Sequence, residues 1–320
     1  MSNKTKIWLA VALILVFIGC ISFVGVMSMF KWDFTKLSTV KYETNNYEIN
    51  ESFKNISIVT DTADITVVPS EDSKSSVVCY ESEKTRHNVS VKDDTLVIEI
   101  DDKRAWYDYI GIFWGSPKIT VYLPQDEYES LSIKSQTGNV VIPKEFKFES
   151  LDISESTGTV TNNASVSGLA KIKTTTGNIY IDNISVGSMD LSVSTGEIVV
   201  KSVSCNGDVE IKVSTGKTTI NDITCKNLIS SGSTGSISLE NVTASEQFSI
   251  KRSTGDVKFK NCDAVQIFVK TSTGDVKGTL LTEKNFTVKT STGKVSVPET
   301  KDGGRCEITT DTGDIKIEIE

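Results

Sequence analysis

Two places in the chain hold residue types suited to gripping a ligand. Residues 104–115 read Arg-Ala-Trp-Tyr-Asp-Tyr-Ile-Gly-Ile-Phe-Trp-Gly and gather Trp106, Tyr107, Tyr109, Phe113 and Trp114, including two of the four tryptophans. Clustered rings of this kind pack on sugars, on a partner or at the outer membrane interface. They also serve as a hydrophobic plug over an open β-edge, and that is the plainer expectation. Lys251, Lys270 and Lys289 recur at intervals of 19 residues, with Arg252 beside the first. Stacked lysines usually mark a solvated face that resists aggregation. The sharper alternative is contact with an anionic polymer such as wall teichoic acid, or with phospholipid headgroups.

Other reactive types are sparse. Cys205 and Cys225 share a phase in neighbouring repeats; packing as small hydrophobes is expected first. In an exported protein they could also be bridged, because disulfide Cα separations run from about 4.4 to 6.8 Å. Asp256 and Asp275 also stack, but the Gly/Asp nonapeptide of calcium-binding β-rolls is missing. The single histidine, His87, lies outside the repeats, and no Cys/His metal set, paired carboxylates or phosphate loop is recognisable. No catalysis, metal or cofactor is therefore expected. A formal charge of −8 and a pI near 5.0 argue against nucleic acid as a partner.

These residues must be positioned by two kinds of element. Ile7 to Phe30 is uncharged and long enough to cross a bilayer core of about 30 Å at 1.5 Å per residue. Lys4 and Lys6 place residues 1–6 in the cytoplasm and the remainder outside, although Lys31 and Lys36 on the far side weaken the asymmetry. A cleaved signal fits less well, because the apolar run exceeds a typical h-region. Phe17-Ile18-Gly19-Cys20 loosely resembles a lipobox, yet apolar residues continue beyond Cys20. The expected division is 1–6 cytoplasmic, 7–30 transmembrane anchor, 31–48 linker, 49–130 cap and degenerate first coil, and 131–320 repeats.

The second element is a repeat. Thr-Gly recurs at Gly138, Gly158, Gly177, Gly196, Gly216, Gly235, Gly255, Gly274, Gly293 and Gly313, spaced 19 or 20 residues apart. Such a period marks a solenoid whose units bury their apolar faces only by stacking. Two residues after the glycine stand Val140, Val160, Ile179, Ile198, Ile237 and Val257, with Thr218 an exception. Five before it stand Ile133, Ile153, Ile172, Leu191 and Ile211, with Ser230 an exception. Alternation of period two on both sides means strand, glycine bend, strand, return loop. Glycine supplies φ > 0 at the bend, and Asn183, Asn241 and Asn261 can supply it in the return loop. The expected fold is all-β: a single-stranded parallel β-helix of about ten coils, with an irregular N-terminal β cap, preceded by one transmembrane helix. Thr-x-Thr pairs at Thr174/Thr176, Thr271/Thr273, Thr290/Thr292 and Thr310/Thr312 resemble ice-binding arrays, but Glu155, Val193, Val213, Gly232 and Arg252 interrupt them. A structural role for the column is preferred.

An N-terminal membrane segment, the strand and proline Val121-Tyr-Leu-Pro124, and repeats of the form Leu/Ile-x-Ile-x-x-x-Thr-Gly-Asp/Asn-Ile/Val occur together. Over roughly residues 50–320 this resembles the membrane-anchored "putative adhesin" β-solenoid domains of Firmicutes, of unknown function, which include LiaG-like accessory proteins of envelope-stress operons. The resemblance implies a membrane-anchored, extracytoplasmic scaffold and brings no catalytic motif. A cell-wall polymer, a glycan or another envelope protein is the expected partner. A regulator acting through the anchor is the alternative, and a polysaccharide-active β-helix enzyme the third.

Overall fold

The computed structural model describes residues 2–34, 40–109, 115–300 and 302–320. Its one long helix, α1 (Asn3–Met29), begins at Ser2, whose hydroxyl accepts the Thr5 amide. Mean hydropathy over its most apolar window is 2.9, and α1 is long and apolar enough to cross a membrane. It starts four residues before the expected segment because Lys4 and Lys6 continue the helical turn.

Beyond residue 41 the described residues form strands joined by turns, with one 3-10 turn at Trp106–Tyr109. Each Thr-Gly forms the expected bend: the ten glycines have φ between 127° and 156°. The Gly158 amide donates to Thr176 O of the stacked coil at 2.9 Å, and the other bends except that of Gly293 repeat the bond. Return corners take positive φ at Asn183, Asn241 and Asn261, and also at Ser202 and Asp222. The apolar phases are fully buried, as at Ile153, Ile172, Leu191 and Ile211. Each such side chain contributes about 1.5–3 kcal/mol of burial, so the interior column carries most of the stability.

The coils do not stack in chain order at either end. At the N-terminal end, β1 (Tyr42–Ile49) precedes β2 (Asn55–Val59) and β3 (Asp64–Pro69), which form the degenerate first coil. A hairpin follows, β4 (Ser75–Ser82) and β5 (Thr85–Lys92), then β6 (Thr95–Asp102) and β7 (Lys118–Leu123). Strand β2 pairs in parallel with β6 on one side and with the Gly138 coil on the other, as does β3 with β7. The first coil is thus an inner layer. At the other end, the Gly274 coil pairs with the Gly313 coil, and the Gly293 coil lies outermost. Coils successive in sequence are therefore not neighbours throughout the stack. At the C-terminal end the last strands are thereby bonded on two sides, which protects them from fraying.

The inserted coil fits because its residues match. Asp256-Val-Lys258, Asp275-Val-Lys277 and Asp314-Ile-Lys316 stack in that order. Asp256 Oδ1 accepts the Asp275 amide at 3.1 Å, and Asp275 Oδ1 accepts the Asp314 amide at 2.8 Å. These aspartates therefore stitch coils together, and Lys277 pairs with Asp275 at 2.6 Å.

The threonine column has the structural role preferred for it and forms no outer ice-binding array: the first threonine of each Thr-x-Thr pair points inward, with Thr174, Thr271 and Thr310 buried and Thr290 half-buried. Their hydroxyls donate to bend carbonyls, as Thr310 does to Gly274 O at 3.1 Å. Nor is the first layer plugged by the described aromatics. Antiparallel strands close it, β4 on β7 and β5 on β6, with β1 on β4, burying Val77, Cys79, Leu96 and Ile98.

The inverted end order predicts which cysteine pairs can be made. Lys270→Cys with Thr309→Cys should form a disulfide under mild oxidation, because Lys270 and Thr309 are direct register partners. Lys270→Cys with Lys289→Cys should not, since about 9.6 Å, two strand spacings, separates them. Gel mobility of the oxidised variants decides between the two orders.

Candidate functional site

A groove follows the return corner from the first coil to the fifth Thr-Gly coil. It encloses about 680 Å³ between Lys54, Glu127, Glu129, Lys147, Ser165, Ser167, Ser185 and Asn206, over a floor that includes Val166, Val186 and Gly187. Gly187 keeps the floor deep: a Cβ there would stand 2.4 Å from Ser167 O. At the cap end Tyr128 stacks on Phe53, with ring centroids 6.1 Å apart, and packs against Phe148 at 6.0 Å. The wall charges largely cancel, Lys147 with Glu127 at 3.1 Å and Lys54 with Glu129 at 3.5 Å. Hydroxyls, neutralised ion pairs and small apolar patches along one axis suit an extended polar polymer better than a compact ion. No glycine or serine in this corner was singled out from the sequence, because the corner lacks a fixed motif.

The sequence-selected aromatic residues lie elsewhere. Trp106–Tyr109 forms a single 3-10 turn in which Trp106 is 77% exposed and Tyr107 58% exposed. Their rings meet edge to face, centroids 5.9 Å apart. Asp108 holds the turn through the Ala105 amide at 2.8 Å and the Lys84 ammonium. The Lys84 contact and the amide hold the Asp108 carboxyl below its ordinary range. Tyr107, Lys84, Arg104 and Asp108 line a 290 Å³ cavity together with Val40 and Lys41, where the chain arrives from α1. Tyr109 belongs to the turn, and Phe113 and Trp114 lie outside the described residues.

Lys251 and Lys270 are register neighbours, but Thr309 intervenes before Lys289. The same outward phase carries Lys134, Lys173 and Lys212 in alternate coils further up the stack. Among the described residues Lys251, Lys270 and Lys289 form no ion pair. The three lysines and the aromatic turn do not converge on one site.

The family model described as Toastrack DUF4097 matches residues 53–212 and 204–320. The chain belongs to that family. Among solved structures it is similar to a "putative lipid binding protein" from Parabacteroides distasonis (15% identity, TM-score 0.49, covering 88% of this chain and 98% of that one). It is also similar to "putative adhesins" from Bacteroides fragilis (15%, TM-score 0.44, 87% and 97%) and Parabacteroides merdae (13%, TM-score 0.43, 88% and 98%). No curated protein matches it.

The Toastrack solenoid also buries polar groups that the sequence did not flag. His87 Nδ1 lies 2.6 Å from Glu81 Oε2, and Nε2 lies 2.8 Å from Thr60 Oγ1. With the proton on Nδ1, the Thr60 hydroxyl donates to Nε2, giving a hydroxyl–imidazole–carboxylate chain. Glu81 also accepts from the His87 amide at 2.7 Å and from Asn45 Nδ2 at 2.7 Å. Donor atoms of Cys79, Glu81 and His87 lie within 4.8 Å of one another, a Cys/Glu/His set that went unrecognised because its members come from two strands of the cap. Burial pushes the Cys79 thiol up to about 12, so it is no ready metal ligand. With the ring and carboxylate already engaged, this cluster is best read as a weld joining β1, β4, β5 and the first coil.

Glu155 occupies the inward position three before Gly158, and neither carboxylate oxygen has a hydrogen-bond partner. Burial raises its pKa to about 7, the adjacent Ser135 hydroxyl opposing the shift and Asp64 adding to it. Cys205 and Cys225 are free, buried thiols rather than a disulfide. Each faces carbonyls, Cys205 at Gly207 O (3.5 Å) and Cys225 at Thr243 O (3.9 Å), and burial pushes Cys225 up to about 12.

Two outcomes follow. The Glu155 pKa is higher folded than unfolded, so its contribution is fully present below about pH 4.5 and disappears as pH rises through about 7. The thermal midpoint should fall between pH 5 and pH 8 by the equivalent of roughly 2–3 kcal/mol, and Glu155→Gln should flatten that slope and stabilise the protein at pH 8. An unchanged slope in the variant would remove Glu155 as its source. In the detergent-solubilised chain, Ellman's reagent should leave the five buried thiols untouched until denaturant is added; a Cys205–Cys225 linked peptide in a mass map would contradict this.

Proposed function

We propose that the chain is a membrane-anchored, non-catalytic binding scaffold of the cell envelope, with its solenoid on the outer side. The corner groove would hold an extracytoplasmic polymer, a glycan or cell-wall strand, laid along the solenoid axis. The groove carries this reading: it crosses six successive layers, about 24 Å at strand spacing, and its walls offer hydroxyls and paired charges. The orphaned Glu155 carboxylate and the Thr60–His87–Glu81 chain are both buried, away from any bound polymer.

The other sequence-selected residues take secondary roles. Trp106 and Tyr107, with Tyr109, Phe113 and Trp114 of the same segment, would meet the bilayer interface beside the exit of α1. The cavity shared by Tyr107 with Val40 and Lys41 supports that placement. Lys251, Lys270 and Lys289 would add electrostatic attraction to an anionic polymer.

The test is sedimentation of the detergent-solubilised chain with isolated wall polymer, with and without teichoic acid. Ser185→Trp, an exposed groove position, should weaken binding at least tenfold, whereas Trp106→Ala should leave it intact. Undiminished binding by Ser185→Trp would sink the groove. Loss of binding on exchanging α1 for an unrelated transmembrane segment would favour a regulator coupled through its helix.

A further inference from the structure

Four irregularities of the repeat meet at one buried point. Arg252 takes the inward position three before Gly255 and is only 5% exposed. Its register partner in the preceding coil is Gly232, where a Cβ would stand 2.4 Å from Arg252 Nη1. The missing side chain makes room for the guanidinium. Nη2 donates to Ser230 Oγ at 2.9 Å and Thr218 Oγ1 at 3.3 Å, and Nη1 reaches Lys251 O at 3.4 Å. Ser230 and Thr218 are themselves buried and stand at phases that other coils fill with isoleucine, leucine or valine.

The chemistry of this cluster is one-sided. Arg252 Nε is buried without a partner, and no carboxylate lies within ion-pair distance among the described residues. Ser230 and Thr218 both accept from the guanidinium, which leaves their own protons to donate. A buried charge is costly unless it is paired. Glu155, five coils away in the same inward column, can discharge itself by taking up a proton near neutrality. Arg252 cannot shed its proton, since burial lowers its pKa only to about 10.

We propose that the solenoid holds a small monovalent anion of chloride size against Arg252, with the guanidinium, Ser230 and Thr218 as its donors. Such an ion would tie together the Gly216, Gly235 and Gly255 coils, each of which supplies one donor. The guanidinium itself takes the place of a Gly232 side chain, so the room beside it is confined to what serine leaves in place of a branched aliphatic at 230. That favours a monatomic ion over phosphate or an organic carboxylate. The inference is independent of what the corner groove binds.

Crystals of the chain soaked in sodium bromide give the direct test. An anomalous peak within hydrogen-bond distance of Arg252 Nε, Nη or the two hydroxyls is expected; a water or no density there, with bromide bound elsewhere, overturns the proposal. In solution, replacing chloride with gluconate at constant ionic strength should lower the thermal midpoint of the wild type. Arg252→Met, a length of apolar chain where other coils carry Val193 and Val213, should lose that dependence. Ser230→Ala, the milder change, should shift the halide dependence to concentrations about tenfold higher. Equal halide dependence in the wild type and Ser230→Ala, or in the wild type and Arg252→Met, counts against the site.

Discussion

The structure rests on the close approach of one glycine to the next. A Cβ on Gly158 would lie 1.6 Å from Gly138 O, and one on Gly196 would lie 1.8 Å from Gly177 O. Each Thr-Gly coil sits on a stacked neighbour through backbone alone at the bend, where only glycine has both the required φ and the required absence of a side chain. This contact removes the freedom to slip in register. Once register is locked, each phase of the repeat becomes a column, and a residue's surroundings are set by the same phase one coil above and below. Stitches such as Asp275 on the Asp314 amide then add to an alignment that already exists.

Columns of this kind explain both the order of the molecule and its few irregular sites. The inward position three before the glycine is filled by threonine, valine, serine, glycine or a charge, and the threonines satisfy bend carbonyls, as Thr271 does with Gly255 O at 3.3 Å. A charge placed there has no water and must find relief inside the column. Arg252 is accommodated by a neighbouring glycine and two hydroxyls, while Glu155, beside the single Ser135 hydroxyl, can take up a proton near neutrality. A charge in this column is thus tolerated where adjoining coils change with it or where it can discharge itself.

Much of this was legible in the sequence, for physical reasons. Period-two alternation and the αL asparagines Asn183, Asn241 and Asn261 fixed strand, bend and corner, because each depends on one coil alone. The direction of Thr174 and Thr271 was equally written in parity, since each stands two residues from an inward isoleucine or valine; their polarity obscured it. The end order was written too, in the likeness of Asp275-Val-Lys277 to Asp314-Ile-Lys316 and its absence from Lys294-Val-Ser296. What could not be read was anything requiring several coils or strands at once. The groove arises from a corner without a motif, His87 meets partners from β4 and the first coil, and the aromatic turn is displaced from the closed end by strands rich in valine and isoleucine.

The two ends of the stack differ, and the difference gives the lysine column a second meaning. At the cap, β6 and β7 lie in parallel on the first coil and the antiparallel strands β4 and β5 pair with them. At the far end the outermost coil leaves Phe286 and Val288 half-buried and Val295 46% exposed, with the edge of Lys284–Thr292 paired on one side only. An unpaired parallel strand invites a further strand from another molecule. Lys289 and Lys294 stand on that edge coil and Pro298 follows it, which are the devices that discourage such addition. Inserting the Gly313 coil beneath moves the well-matched Asp314 and Lys316 columns inward and leaves the mismatched, lysine-bearing coil outside. The inverted order therefore does two things at once: it anchors the last strands between neighbours, and it presents to solvent the coil least able to template another.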